Sequence, residues 1–150
     1  LSLNIAAAQC GPLGGALARF PQMTVIVSHM GRPQLLEGGR LDERNYTPLL
    51  ELARFERVYI KLSGFYAFVP QGWRYPQSAL FPVVDRLRAV FGIKRLLFGS
   101  DFAPVLEHNS YRQALELLRS EYGGFTDEEL AAIYGDNARR IIAWRQEAQA

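Results

Sequence analysis

Apolar positions in this chain fall into short strand-like runs separated by longer stretches with a helical repeat. From Leu1 to Ala8, the residues Leu1, Leu3 and Ile5 alternate with Ser2, Asn4 and Ala6, the period of a strand with one covered face. Thr24 to His29 is β-branched and apolar, and Val58 to Ser63 alternates or is apolar enough to be a third strand. Arg95 to Ser100 contains Leu96-Leu97-Phe98, a run expected in a fully buried strand of a parallel sheet. Helical spacing fills the intervals. Leu13 to Phe20 reads as a short helix before Pro21, and Tyr46 to Phe55 spaces Leu49, Leu50, Leu52 and Ala53 on one face. Pro82 sits near the start of an amphipathic helix carrying Val83, Leu87, Val90 and Phe91, as a proline in a first turn should. Tyr111 to Tyr122 is a further amphipathic stretch. Thr126 and Glu129 form a capping box that opens a short helix ending at Gly135, and Asp136 is placed to cap a last helix from Asn137 onward.

Four strands alternating with helices, at intervals of roughly thirty residues, predict parallel βα units. Right-handed crossovers put the helices outside and all four carboxyl ends at one edge. Four units close half of an eight-stranded barrel or form a small doubly wound sheet. The small polar set Ser2, Asn4 and Ala6 suits a barrel interior. Val25, Val27 and His29 share one face of the second strand, and Leu97, Gly99 and Asp101 share one face of the fourth. If both faces point inward, His29 and Asp101 converge over one mouth.

Composition narrows the class. With 150 residues, 49% hydrophobic and 21% charged, the chain reads as one ordinary globular domain rather than a disordered or fibrous segment. The net charge of +2 comes from dispersed basic residues, without the clustered stripe of a nucleic-acid binder. Cys10 is the single cysteine, so no intramolecular disulfide forms, and a reducing compartment suits the chain. No apolar run reaches membrane-spanning length and no signal-peptide pattern is visible. The expected location is the cytoplasm, with no membrane partner. The sequence opens at Leu1 without a methionine, inside a strand, and reads as a piece of something longer.

Chemistry concentrates at strand ends. Ligands and catalytic groups of parallel sheets gather at the carboxyl ends of strands, where Ser28-His29 and Gly99-Ser100-Asp101 lie. The plainer alternatives are an Asx-turn or cap for Asp101 and a structural imidazole for His29. The loop from Ala67 to Ser78 holds Pro70, Gly72, Pro76, Phe68, Trp73 and Tyr75, a length that connections in compact domains reach mainly when they have a function.

Four segments carry a family resemblance. Val27-Ser28-His29-Met30-Gly31-Arg32-Pro33, Ile60-Lys61-Leu62-Ser63-Gly64-Phe65-Tyr66, Leu97-Phe98-Gly99-Ser100-Asp101-Phe102-Ala103-Pro104 and Tyr134-Gly135-Asp136-Asn137-Ala138-Arg139-Arg140 resemble, in order and spacing, successive signatures of amidohydrolase-2 proteins. The likeness is to the branch of 2-pyrone-4,6-dicarboxylate lactonase. It implies an α/β fold in which parallel βα units form the C-terminal half of a TIM (β/α)8 barrel, the four strands corresponding to the family's fifth to eighth. The N-terminal half would then be absent, together with its His-x-His pair, since the chain's histidines are His29 and His108.

The resemblance further implies hydrolysis of a lactone, ester or amide, with Asp101 activating water and shuttling its proton and His29 orienting or polarising the carbonyl. Metal-dependent relatives place a divalent ion, often zinc, on the first-strand pair, a fifth-strand His and the eighth-strand Asp. Here the fifth-strand segment Leu3 to Gln9 has no histidine, which leaves at most Asp101 and His29 as ligands for zinc. That favours a metal-independent, lactonase-like site. Arg32 is placed to grip a substrate carboxylate or to make a loop ion pair. Tyr66, Trp73 and Arg74 complete the substrate candidates, with half-buried packing as the alternative for the aromatics. Lys61 is expected to pair with a carboxylate and His108 to be a solvated surface residue. The expected partners are a small carboxylate or lactone and either the missing half or a second copy. The other readings are a metal-dependent decarboxylase of aromatic or unsaturated acids, and a half-barrel that binds or dimerises without activity.

Overall fold

The computed structural model describes residues 1–142. One four-stranded parallel sheet runs in chain order: β1 Ser2–Leu3, β2 Val25–Val27, β3 Val58–Leu62 and β4 Leu96–Phe98. Helices α1 Gly11–Arg19, α2 Glu43–Leu50 and α3 Phe81–Phe91 make the crossovers, and α4 Tyr111–Glu116, α5 Asp127–Ala131 and α6 Asn137–Ile141 follow β4. The architecture is the expected succession of βα units.

Register separates the two faces. Leu3 stands beside Val27, Val27 beside Ile60 and Ile60 beside Leu96. With Val25, Val58 and Leu62 these residues join the core formed by Leu17, Leu49, Leu87 and Phe91 of the helical layer. The alternate residues Ser2, Ile26, Tyr59, Lys61 and Leu97 align on the opposite face, the one that lines a barrel interior when such a sheet curls. Val25 and Val27 therefore point away from Leu97, and the two faces named above as shared do not both turn inward. His29 reaches its place by another route, described below.

The strands are shorter than their alternating sequences. The strand expected over Leu1 to Ala8 stops at Leu3, because Ala7–Gln9 closes a 3-10 turn in which Cys10 N–H bonds Ala7 O at 3.0 Å and Ala6 N–H bonds Gln9 Oε1 at 3.0 Å. Backbone groups satisfied locally are lost to the sheet. The second and fourth strands likewise end two residues early, whereas β3 matches its expected span within one residue. The helix expected from Tyr46 to Phe55 starts earlier, at Glu43, where Asp42 accepts a cap bond from Asn45 N–H at 3.2 Å. It tightens into a 3-10 turn over Glu51–Arg54. The helix from Tyr111 widens to a π turn at Leu117–Tyr122.

At the C-terminal end the capping box forms as read, with Glu129 N–H on Thr126 Oγ1 at 3.2 Å and Thr126 N–H on Glu129 Oε2 at 3.0 Å. Asp136 does not cap α6; its carboxylate pairs with Arg139 at 2.9 Å. Any continuation of that helix beyond Ile142 lies outside the described residues. The anchor is instead Asn137, 1% exposed, whose side-chain nitrogen donates to Ile93 O and Leu96 O, both at 2.8 Å. One amide thus ties the last helix to the start of β4. Among the described residues no helix is long and apolar enough to cross a membrane.

Removing the Asn137 amide leaves Leu96 O without its side-chain donor in a buried place, while Ile93 O keeps the Leu96 N–H. Asn137→Ala is expected to lower unfolding free energy by about 1–3 kcal/mol, read as a reduced urea midpoint at unchanged slope. Asn137→Leu should be no better, because filling the space does not supply donors. A loss below about 0.5 kcal/mol in both would mean that water replaces the amide.

Candidate functional site

His29 owes its position to a left-handed turn. After Ser28 N–H makes the last ladder bond, to Leu3 O at 2.8 Å, the backbone takes φ of 55° at His29, 54° at Met30, 69° at Gly31 and 54° at Arg32. Such φ values cost about 1–2 kcal/mol at each side-chain-bearing residue. Two contacts hold the turn. Tyr46 Oη donates to Met30 O at 2.6 Å in a buried site, and a Cβ at Gly31 would lie 2.5 Å from Leu49 Cδ2. The turn lifts His29 off the helix face that Val25 and Val27 occupy and lays its ring across the end of β3.

There the imidazole meets Ser63. Nδ1 lies 2.9 Å from Ser63 Oγ, and Nε2 lies 3.8 Å from Asp101 Oδ1. Gly64, at φ +68°, makes room: a Cβ there would come within 2.8 Å of Nδ1. Asp101 also has a left-handed backbone, at φ 58°. Its Oδ2 accepts from Tyr66 Oη at 2.6 Å. Asp101 caps nothing with its side chain; Ser100 Oγ accepts the Phe102 N–H at 3.3 Å. The His29 and Asp101 side chains are 19% and 23% exposed, reachable by water yet largely shielded.

Tyr66 ties the long loop to this pair. Its ring stacks on His108 with centroids 4.6 Å apart and planes 19° from parallel. Buried Gln77 donates to Gly72 O at 2.9 Å and to Asn109 Oδ1 at 3.2 Å, which fastens the loop to the segment before α4. Burial first, then the hydrogen bond and charge of Asp101, hold the Tyr66 phenol well above the usual tyrosine range.

The structure thus brings together Asp101, His29 and Tyr66 from the sequence candidates. Arg32 is exposed and lines a separate niche of about 20 Å³ with Gln34, Asp42 and Tyr46. Trp73 is 69% exposed, and Arg74, also exposed, bonds Gln71 at 3.5 Å. Among the described residues no side-chain hydrogen bond or ring contact joins Arg32, Trp73 or Arg74 to His29, Tyr66 or Asp101; Arg32 meets His29 through its backbone N–H alone, 2.8 Å from His29 O. Lys61 has no carboxylate partner there either; its Nζ donates to Ser28 Oγ at 3.4 Å. His108 is exposed as expected, but it packs on Tyr66. Ser63 was not among the candidates, and its signal was slight: a serine at the end of β3, one residue before a glycine.

No three His, Cys, Asp or Glu side chains gather among the described residues. His29 and Asp101 are two donors where a catalytic zinc site generally uses three protein ligands, so these residues by themselves do not fit a metal centre. What they do fit is proton transfer. A carboxylate anchored on one oxygen faces an imidazole with its second at 3.8 Å, and both side chains are partly open to water.

Replacing Asp101 with Asn removes the charge and weakens the acceptor beside Tyr66, so the Tyr66 pKa should fall towards the ordinary value while burial keeps it raised. The check is alkaline absorbance titration of wild type and Asp101→Asn, each minus its Tyr66→Phe counterpart. Because the folded value is raised, the phenol's contribution to stability is complete below about pH 10 and is lost as pH rises through the folded value. An unchanged Tyr66 titration in Asp101→Asn would mean the two groups do not interact in solution.

Comparison with known proteins places the chain. A family model described as Amidohydrolase matches residues 2–144. The chain is 31% identical over 142 residues to an L-fucono-1,5-lactonase of Burkholderia multivorans, an alignment covering 89% of this chain and 47% of the lactonase. Its fold superposes with TM-score 0.79 and 26% identity on an amidohydrolase of Burkholderia multivorans crystallised with bound zinc, over 93% of this chain and 50% of that one. A putative 2-pyrone-4,6-dicarboxylic acid hydrolase of Pseudomonas putida gives TM-score 0.74 and 26% identity, again over 93% and 50%. The chain spans about half the length of these relatives, and its parallel sheet matches part of a TIM-barrel fold. With nearly every residue covered by the family model, the chain belongs to the amidohydrolase family.

Proposed function

We propose that this chain carries the proton-transfer half of a hydrolase that opens a lactone or ester of a small sugar acid or carboxylic acid. The observation that carries the reading is the Asp101–His29 pair, 3.8 Å apart at the ends of β4 and β2, with each member anchored by a hydroxyl. Asp101, ionised, takes a proton from water as the water oxygen bonds to the carbonyl carbon. The carbonyl π electrons move to oxygen, where the His29 imidazole meets the developing charge. When the tetrahedral species collapses, the C–O bond to the ring oxygen breaks and Asp101 returns the proton to that leaving oxygen. Tyr66 keeps the carboxylate pointed throughout.

Support for the substrate class comes from the lactonase and the pyrone-dicarboxylate hydrolase to which the chain is similar. Arg32, exposed just past His29, lines a neighbouring niche and suits a carboxylate of a substrate that reaches beyond the pair. The four βα units act in this reading as one domain equivalent to the second half of a barrel. Within the described residues β1 pairs only with β2 and β4 only with β3, so each outer strand offers an edge for further strands, from an N-terminal half or a second copy.

The test is hydrolysis of fucono-1,5-lactone and of 2-pyrone-4,6-dicarboxylate by the chain. Asp101→Asn is expected to cut turnover at least about a hundredfold, and His29→Gln at least about tenfold, with near-UV circular dichroism unchanged. Turnover that survives Asp101→Asn would overturn the assignment.

A further inference from the structure

We infer that Ser63 is a positioning residue that donates its hydroxyl proton to Nδ1 of His29 and so holds the neutral imidazole in the tautomer with its proton on Nε2, facing Asp101. Ser63 is 1% exposed. Its Oγ has a single hydrogen-bond partner among the described residues, His29 Nδ1 at 2.9 Å. A hydroxyl has one proton to give and lone pairs to spare. If Nδ1 were the donor, the Ser63 proton would be left without an acceptor where water does not reach, and buried polar groups are seldom left so. Giving that proton to Nδ1 removes the problem.

The other end of the ring makes the same choice independently. Nε2 stands 3.8 Å from Asp101 Oδ1. A protonated Nε2 turns the positive end of an N–H bond towards the carboxylate, whereas the opposite tautomer would aim a lone pair at a negative charge. Turning the ring over about its Cβ–Cγ bond would put Cδ2 in place of Nδ1 and lose the Ser63 hydrogen bond. Gly64 leaves space for Nδ1 that a methyl group would fill, and the Phe68 ring lies 6.4 Å away, tilted by 44°.

The consequence is a division of labour. With its proton on Nε2, His29 is a hydrogen-bond donor towards a carbonyl oxygen and does not compete for the proton of water, which leaves Asp101 as the base. This use of the tautomer rests on the hydrolytic reading above; the tautomer itself rests on Ser63 and Asp101.

The chain has two histidines, His29 and His108, so 15N-histidine labelling gives two imidazoles, and His108→Gln identifies each. Long-range 1H–15N spectra, recorded at a pH where His29 is neutral, report which nitrogen carries the proton. Wild type is expected to show a protonated Nε2 and an unprotonated, hydrogen-bonded Nδ1. Ser63→Ala should shift the Nδ1 signal towards that of an unbonded pyridine-type nitrogen, and Ser63→Thr, which keeps the hydroxyl, should restore it. A protonated Nδ1 in wild type, which needs no variant to observe, overturns the inference. So does an Nδ1 signal that Ser63→Ala leaves in place. No turnover enters this measurement, so a chain that hydrolyses nothing yet shows the Nε2–H tautomer would refute the hydrolase reading alone.

Discussion

The left-handed turn at the end of β2 is the constraint on which the site depends. A strand continued in its ordinary pleat would carry residue 29 to the helix side with Val25 and Val27. Four consecutive positive φ angles instead fold the chain back over the sheet end, where the imidazole meets Ser63 and Asp101. Backbone in this region is unfavourable for Met30 and Arg32, so the surroundings must hold it. The Tyr46–Met30 hydrogen bond and the close fit of Gly31 against Leu49 do so, and both come from α2. The helix that follows β2 therefore serves the core and the aim of the His29 ring together.

A second constraint acts on the carboxylate. Asp101 is held by Tyr66, Tyr66 is stacked on His108, and the loop between them is fastened by Gln77 and Asn109. The long connection after β3 is therefore a brace: its buried Gln77, bonded to Asn109 beyond β4, helps hold one aromatic ring against the Asp101 carboxylate. Its exposed members, Trp73 and Arg74, stand apart from that brace.

The sequence made the succession of strands and helices legible, since periodicity reports which faces are covered, and it made Asp101 and His29 legible because both end strands. Strand length was less readable. Alternation continues through Asn4, Ile5 and Ala6, but these residues lie past the point where backbone groups bond the neighbouring strand. The face of His29 was hidden for a related reason: Met30 and Arg32 are not residues that advertise a left-handed turn, and Gly31 was the sole hint. Ser63 was hidden because a small residue in a barrel-facing position reads as filler until its neighbour across the strands is known. The His108–Tyr66 stack depends on one loop folding against another, which no local pattern records.

Ser63, Tyr66, His29 and Asp101 all lie between the ends of β2 and β4, and each of the two reactive groups finds its anchor within that span. A half-barrel exchanged between genes would carry the Asp101–His29 pair with its alignment intact, while strands recruited from elsewhere would reshape the rest of the mouth.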